Sequence, residues 1–387
     1  MPRNLLHTSA IVDHRGVIAS PGAILLEGDT IIMAGTPQEI GHPENTCITQ
    51  IDKIVTPSFV NTHAHLDLSG VGIVPPRRSF FSWVEEVVLP IRQETHSIQA
   101  SVSRGIELLS KGGSSIVGDI SGTQEAAELV QDSPLNATTF IEFFGVGKRQ
   151  NACVEQIRQL PEQFGIEPHS PYSCGLEVFK EAFSSGRAIA THLAETLEEV
   201  EYSKNRSGSM VEFLQRMGAW VEDEDAWGRH PVDVVLDLAG DIPCIAAHLN
   251  YIEDAHLKRL AESQMTVAYC PRASEYFGHR GHRWQEMIDA GVRVSIGTDS
   301  LLCLDTPDRI SVIDELRFLY QRDYPDPLQL LAMGTIHGAA GLGLAQDLVT
   351  LNVGDTAGLL AFEVLGRSPL LDIFESKEMP KWVHSLI

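Results

Sequence analysis

The chain opens on short apolar runs broken by turn residues: AIVDHRGVI, AILLEGDTIIMAG and TCITQIDKIV, punctuated by Gly16, Asp29 and Gly35. That alternation predicts a small β-meander. Similar material returns in VGDTAGLLAFEV near the far end, so both ends are expected to build one small flanking β-sandwich from residues 1–56 and 346–387. Between them the pattern changes to short Val-, Ile-, Ala- and Phe-rich runs: SFVNTHAHL, SSIVGDI, ATTFIEFFG, FGIEPHS, AIATHLAE, PCIAAHLNYI, TVAYCP and RVSIGTD. Amphipathic segments such as DAHLKRLAESQ and RWQEMIDAG follow nearly all of them. Near-continuous apolar strands with helical crossovers predict a parallel sheet covered on its outer face. Eight such units closing on themselves make an α/β fold, the (β/α)8 TIM-like barrel, over residues 57–345. In such a barrel the functional groups collect at the C-terminal ends of the strands. A doubly wound open sheet fits less well. No G-x-G-x-x-G follows an early strand, and polar residues cluster at many strand ends rather than at one switch point.

Composition narrows the function classes. The 387 residues are 43% hydrophobic and 21% charged, ordinary globular material with enough chain for one large core and a smaller attached domain. Lys and Arg total 29 against 52 Asp and Glu, a formal charge of −23. That excess repels a phosphate backbone, so no nucleic-acid polymer is expected as a partner. No apolar run approaches the length of a membrane span, and the start MPRNLLHTSAIVDHRG lacks a signal-peptide pattern, which makes the cytoplasm the expected location. Six scattered cysteines form no C-x-x-C, as suits reduced, mostly core thiols.

Chemistry-bearing residues collect where the strands end. The first strand finishes on His63 and His65, the fourth on His169, the fifth on His192 with Glu195 following, the sixth on His248 and the eighth on Asp299. Five of the 15 histidines thus stand at strand C-termini. Residues i and i+2 of a strand project to the same side, so His63 and His65 can both face the barrel mouth and grip one ion. His192 adds a third imidazole, and Asp299 a carboxylate from the strand that closes the ring beside the first. Three neutral nitrogens and one oxygen suit Zn²⁺, with Fe²⁺ as the alternative. Such an ion lowers the pKa of bound water from about 15.7 to about 7. Each residue also has a plainer reading: Asp299 as a helix N-cap ahead of Ser300, and His248 as a core histidine bonded to a carbonyl.

Taken together, PSFVNTHAHLDLS, EPHSPYSC, THLAETLEEVE, AHLNYI, AYCPRASEYFG and IGTDS resemble, in order and spacing, the amidohydrolase superfamily in its mononuclear deaminase and chlorohydrolase branch. That branch takes in adenosine-type, aminodeoxyfutalosine and guanine deaminases and triazine hydrolases. The resemblance spans nearly the whole chain and implies a barrel with a flanking β-sandwich. It implies that His63, His65, His192 and Asp299 bind one divalent metal ion, and that Asp299 also accepts the proton of the attacking water. Glu195 stands at the position of the proton shuttle, and His248 at that of a histidine that orients hydroxide or substrate. A carboxylate shielded beside an activated water can indeed take a proton and hand it to a leaving amine. Its plainer reading is an acidic residue favourable to the helix dipole in TLEEVEYS. The bridging lysine of two-metal relatives is missing from IEPHSPYS, and Lys148 is a distant substitute, so one ion is expected.

The implied reaction is addition of hydroxide to an amino-bearing ring carbon of a purine, nucleoside or related small-molecule N-heterocycle, with release of ammonia. Hydrolysis of another leaving group (chloride, alkylamine or cyclic amide) is the alternative, and a non-catalytic scaffold the rival from another class. His169, Tyr172, Trp83, Glu86, Arg149 and Arg272 are the expected substrate contacts. Trp83 reads equally as core and Glu86 as a solvated helix charge. The chain departs from the family pattern at Leu304, where many relatives carry asparagine, and at CPRASEYFGHRGH, where His279 and His282 face either a ligand or a polar loop. Relatives are commonly dimers, so the resemblance admits a homodimer, while the residues themselves leave the oligomeric state open.

Overall fold

The structure is a computed structural model that describes residues 3–93, 97–222 and 226–386. The chain packs as two compact units. One joins the residues up to Asn61 with Glu107–Val117 and the stretch from Asp308 onward, and the other comprises Thr62–Ile106 and Gly118–Pro307.

The eight apolar runs form eight strands: β1 (Phe59–Ala64), β2 (Ser114–Ser121), β3 (Asn136–Phe143), β4 (Gly165–Pro168), β5 (Ile189–Leu193), β6 (Cys244–His248), β7 (Met265–Tyr269) and β8 (Arg293–Ile296). They pair in chain order, and the ladders from β3 through β8 are parallel. A parallel bridge between Ala64 and Asp299 closes the ring, and the Thr298 and Asp299 N–H groups both donate to the His63 carbonyl at 3.0 Å. This is the (β/α)8 barrel expected from the pattern. Strands β1, β2, β4, β5, β6 and β7 are buried along their whole length, which is why they read as continuous apolar runs rather than alternating ones.

The second sheet is drawn from both ends of the chain. Strands Arg3–Asp13, Gly16–Ala19, Gly22–Glu27, Thr30–Gly35 and Thr46–Pro57 join Gly354–Asp355, Leu359–Phe362 and Lys381–Trp382 in a single curled sheet. Leu6, Ile11, Ile24, Ile31, Val55 and Leu359 form its apolar core. The mixed pairing, parallel between Arg3–Asp13 and Thr46–Pro57 but antiparallel elsewhere, lets the chain return from Leu359–Phe362 beside the strand that leads into β1. Among the described residues no helix is long and apolar enough to cross a membrane.

Candidate active site

The strand ends place six side chains together, all within the unit that comprises Thr62–Ile106 and Gly118–Pro307. His63 lies inside β1 and His65 just past it, their rings 5.1 Å apart. His192 of β5 brings its ring within 4.8 Å of His63 and 5.4 Å of His65. His248 ends β6, its ring 5.3 Å from that of His192. Asp299 Oδ1 stands 3.6 Å from His65 Nε2, and Glu195 Oε1 stands 3.7 Å from His248 Nε2. The backbone at the strand ends is unusual: Ala194, His248, Leu249 and Asp299 have φ of 48°, 72°, 50° and 59°. Non-glycine residues adopt this left-handed conformation at a cost that the surrounding fold must impose, and such strain gathers at functional sites.

A metal fits this donor set. His192 Nδ1 faces two acceptors, Glu167 Oε1 at 3.1 Å and the His169 carbonyl at 3.2 Å, so Nδ1 carries the proton and Nε2 offers a lone pair. That Nε2 lies only 3.3 Å from His65 Nε2, with Asp299 beside it. Facing nitrogen lone pairs repel unless a proton or a cation sits with them. Ligating atoms of His63, His65 and Asp299 fall within 4.8 Å of one another, as do those of His63, His192 and His248.

Buried carboxylates make the same demand for positive charge. Burial alone pushes the His192 imidazole down, but the charge and hydrogen bond of Glu167 outweigh it and lift the group to about 10. Burial, joined by that charge on His192, holds His63, His65, His169 and His248 well below the usual histidine range. A divalent cation meets the same demand with every imidazole neutral. Burial also lifts Glu195 to about 8, against the pull of His192 and with Asp299 and Glu199 adding to the rise.

A layer of supporting groups fixes these side chains, and of its members the sequence reading named only His279 and His282. Glu199, buried on the helix Leu197–Asn205, accepts the backbone N–H groups of Ala194 and Glu195 at 2.8 and 2.9 Å, pinning the turn that carries Glu195. Asn250 donates to the Glu195 carbonyl at 3.0 Å and accepts from Ser274 at 2.9 Å. Asp119 of β2 accepts the Leu66 N–H at 3.0 Å, next to His65. His282 donates to the His248 carbonyl at 2.8 Å and stacks on Tyr269 with centroids 3.7 Å apart, while His279 pairs with the Tyr251 hydroxyl at 2.9 Å. Of the two histidines of the departing segment, His282 therefore braces His248, and His279 is held by Tyr251. The signal that could have found Glu167 and Glu142 was a carboxylate inside an otherwise apolar strand, in FGIEPHS and FIEFF.

The cluster opens on a cavity of about 490 Å³. His65, His192, Glu195 and Asp299 line one part, and Phe80, Trp83, Val84, Phe213, Leu214 and Phe277 give it apolar walls. Of the expected substrate contacts, His169, Tyr172, Trp83 and Arg149 line this cavity. Trp83 is also 8% exposed and packs edge-on against Phe277, so it serves core and cavity together. Glu86 and Arg272 are not brought there. Glu86 pairs with Arg77 at 3.2 Å and its side chain is 60% exposed, while Arg272 bonds Asp305 at 2.9 Å and Thr306 at 3.1 Å. Leu304 is buried, and Lys148 lies on the exposed turn Gly147–Arg149.

Comparison with known proteins agrees with this architecture. The 5-methylthioadenosine/S-adenosylhomocysteine deaminase of Moorella thermoacetica is 26% identical over 396 aligned positions, covering 96% of this chain and 87% of the relative. The aminodeoxyfutalosine deaminase of Deinococcus radiodurans is 26% identical, covering 88% of this chain and 85% of its own. The crystal structure of Helicobacter pylori aminofutalosine deaminase shares the fold with a TM-score of 0.80 at 21% identity, over 98% of this chain and 97% of that one. The family model for amidohydrolases matches residues 54–387, so this chain belongs to the amidohydrolase family.

Proposed function

We propose that this amidohydrolase is a metal-dependent aminohydrolase that removes ammonia from an amino-bearing ring carbon of an adenosine-type nucleoside or related N-heterocycle. The observation that carries the reading is the convergence of His65 Nε2, His192 Nε2 and Asp299 Oδ1, with Glu195 and His248 facing one another at 3.7 Å beside them. The deaminase names of the relatives support the substrate class.

His63, His65, His192 and Asp299 would hold one divalent ion, Zn²⁺ by the character of the donors and Fe²⁺ as the alternative. When bound, the ion supplies Lewis acidity that makes water a nucleophile near neutral pH. The remaining chemistry belongs to the chain. Burial favours the protonated form of Glu195, whose carboxyl gives its proton to the ring nitrogen as oxygen adds to the adjacent carbon. Asp299 takes the proton released by the water. The amine departs as ammonia with the proton from Asp299, and the hydroxyl proton passes to Glu195 as the ring carbonyl forms. The cycle restores both carboxyl groups. His248, facing Glu195, steers the incoming oxygen. The apolar walls exclude competing water.

Ammonia release by the Zn²⁺-loaded protein, measured across aminopurines, adenosine-type nucleosides, pterins and triazines, tests the reading. Turnover of at least one nucleoside supports it. A metal-loaded protein that releases ammonia from none of them overturns it.

A further inference from the structure

The cavity contains a carboxylate that neither the metal set nor the proton transfers use. Glu142, on β3, lines the cavity with a side chain 6% exposed. Strand register puts it there: Glu142 pairs with Glu167 and Phe143 with Pro168, so the residue after Pro168, His169, stands beside it. Arg92 holds one oxygen, Oε2, at 3.3 Å, and Arg92 is itself anchored by Asp67, whose carboxylate also accepts the Gly122 N–H at 3.0 Å. The other oxygen, Oε1, stands 3.8 Å from His169 Nε2, beyond hydrogen-bonding reach. His169 is fixed from behind, its Nδ1 at 2.7 Å from the Ser173 hydroxyl and 3.0 Å from that of Ser170. An anchored acceptor and an anchored imidazole nitrogen thus face the cavity side by side.

We infer that Glu142 is a specificity-determining residue that accepts a hydrogen bond from a sugar hydroxyl of the substrate, next to the ring nitrogen met by His169. The inference rests on the aminohydrolase reading and names its substrate class further: a ribonucleoside rather than a free base or a deoxynucleoside. In a nucleoside the sugar hydroxyls and the ring nitrogen nearest the glycosidic bond lie on neighbouring edges, a spacing that an acceptor and an imidazole a few ångströms apart can read together. The carboxylate expected for a pocket role from sequence, Glu86, is turned to Arg77 instead. Glu142, His169 and His192 also bring ligand-type atoms within 4.8 Å of one another. The guanidinium on Glu142 and the hydroxyls on His169 favour recognition of a neutral ligand over capture of a second cation. A buried acceptor oxygen left without a donor disfavours an analogue lacking that donor.

Glu142→Gln is the discriminating variant. A guanidinium only donates, so the oxygen of the substituted amide stays with Arg92 and its NH2 turns to the cavity, replacing an acceptor by a donor. Two readouts on the Zn²⁺-loaded protein are needed. One is kcat/KM for adenosine against its 2′-deoxy and 3′-deoxy analogues, and the other is calorimetric affinity for purine riboside against its deoxy forms, which needs no turnover. The wild type is expected to prefer the full riboside by about 10- to 100-fold over at least one deoxy form. Glu142→Gln is expected to narrow that preference to within about 3-fold while its metal content stays that of the wild type. Glu86→Gln keeps the preference. Equal preference in wild type and Glu142→Gln, loss of metal in Glu142→Gln, or loss of preference in Glu86→Gln instead would each overturn the inference. Selective binding of the riboside without any ammonia release would leave the role of Glu142 standing and remove the aminohydrolase reading.

Discussion

Glu167 Oε1 lies 3.1 Å from His192 Nδ1, a buried carboxylate behind the imidazole whose other nitrogen faces His65. The contact fixes which nitrogen carries the proton, holds the ring plane, and raises the basicity of Nε2. Glu167→Gln is therefore expected to weaken Zn²⁺ binding by about 10- to 100-fold, read by competition with a chelator of known affinity. Unchanged affinity would mean that Glu167 merely fills the barrel.

Glu195→Gln preserves volume and removes the transferable proton. It is expected to keep the metal and lose about 10²- to 10⁴-fold in kcat, the usual worth of general acid–base catalysis. Elemental analysis and ammonia release on the same preparation check both halves. A fully active variant would remove Glu195 from the proton transfers.

Glu199 acts one step back. Its carboxylate accepts two buried N–H groups, those of Ala194 and Glu195, at the turn where Ala194 has φ 48°. Glu199→Ala leaves both donors without an acceptor, at about 1–3 kcal/mol each. The expected result is a lowered melting temperature together with a lowered kcat, because the released turn no longer aims Glu195. Glu199→Gln, which retains one acceptor, should fall between the two.

An ion bound only by the folded chain stabilises it by mass action, roughly 2.7 kcal/mol at a free concentration 100 times the dissociation constant. Thermal unfolding with chelator and with added Zn²⁺ should differ accordingly. His63→Ala, which removes a donor 0% exposed at the centre of the cluster, should lose that difference and the activity together.

The barrel was readable because its strands are buried on both faces: IATHL and CIAAH carry no alternation to misread, and their polar residues come at the end where the mouth lies. Histidines at strand ends were readable for the same reason. The supporting layer was not. In FIEFF and FGIEP a lone carboxylate in an apolar run signals an unusual burial, but its partner depends on register: Glu142 and Glu167 face each other across β3 and β4, and His192 reaches Glu167 from β5. Glu86 shows the converse. Its place after the first strand suggested a pocket role, yet the helical turn around it directs the side chain to Arg77 and solvent. A single sequence does not reveal which way such a turn faces. His282 and His279 illustrate a third case, where side chains in a polar loop reach back to His248 and Tyr251 across 34 and 28 residues.

The most direct test of the central claim is X-ray absorption at the zinc edge on the Zn²⁺-loaded protein, with the zinc content of the same sample. The account predicts about one tightly held ion per chain in a shell of nitrogen and oxygen at about 2.0–2.2 Å, with imidazole scattering that diminishes in His63→Ala. Absence of a stoichiometric ion, or a sulfur shell at about 2.3 Å contributed by the cysteines, would contradict it.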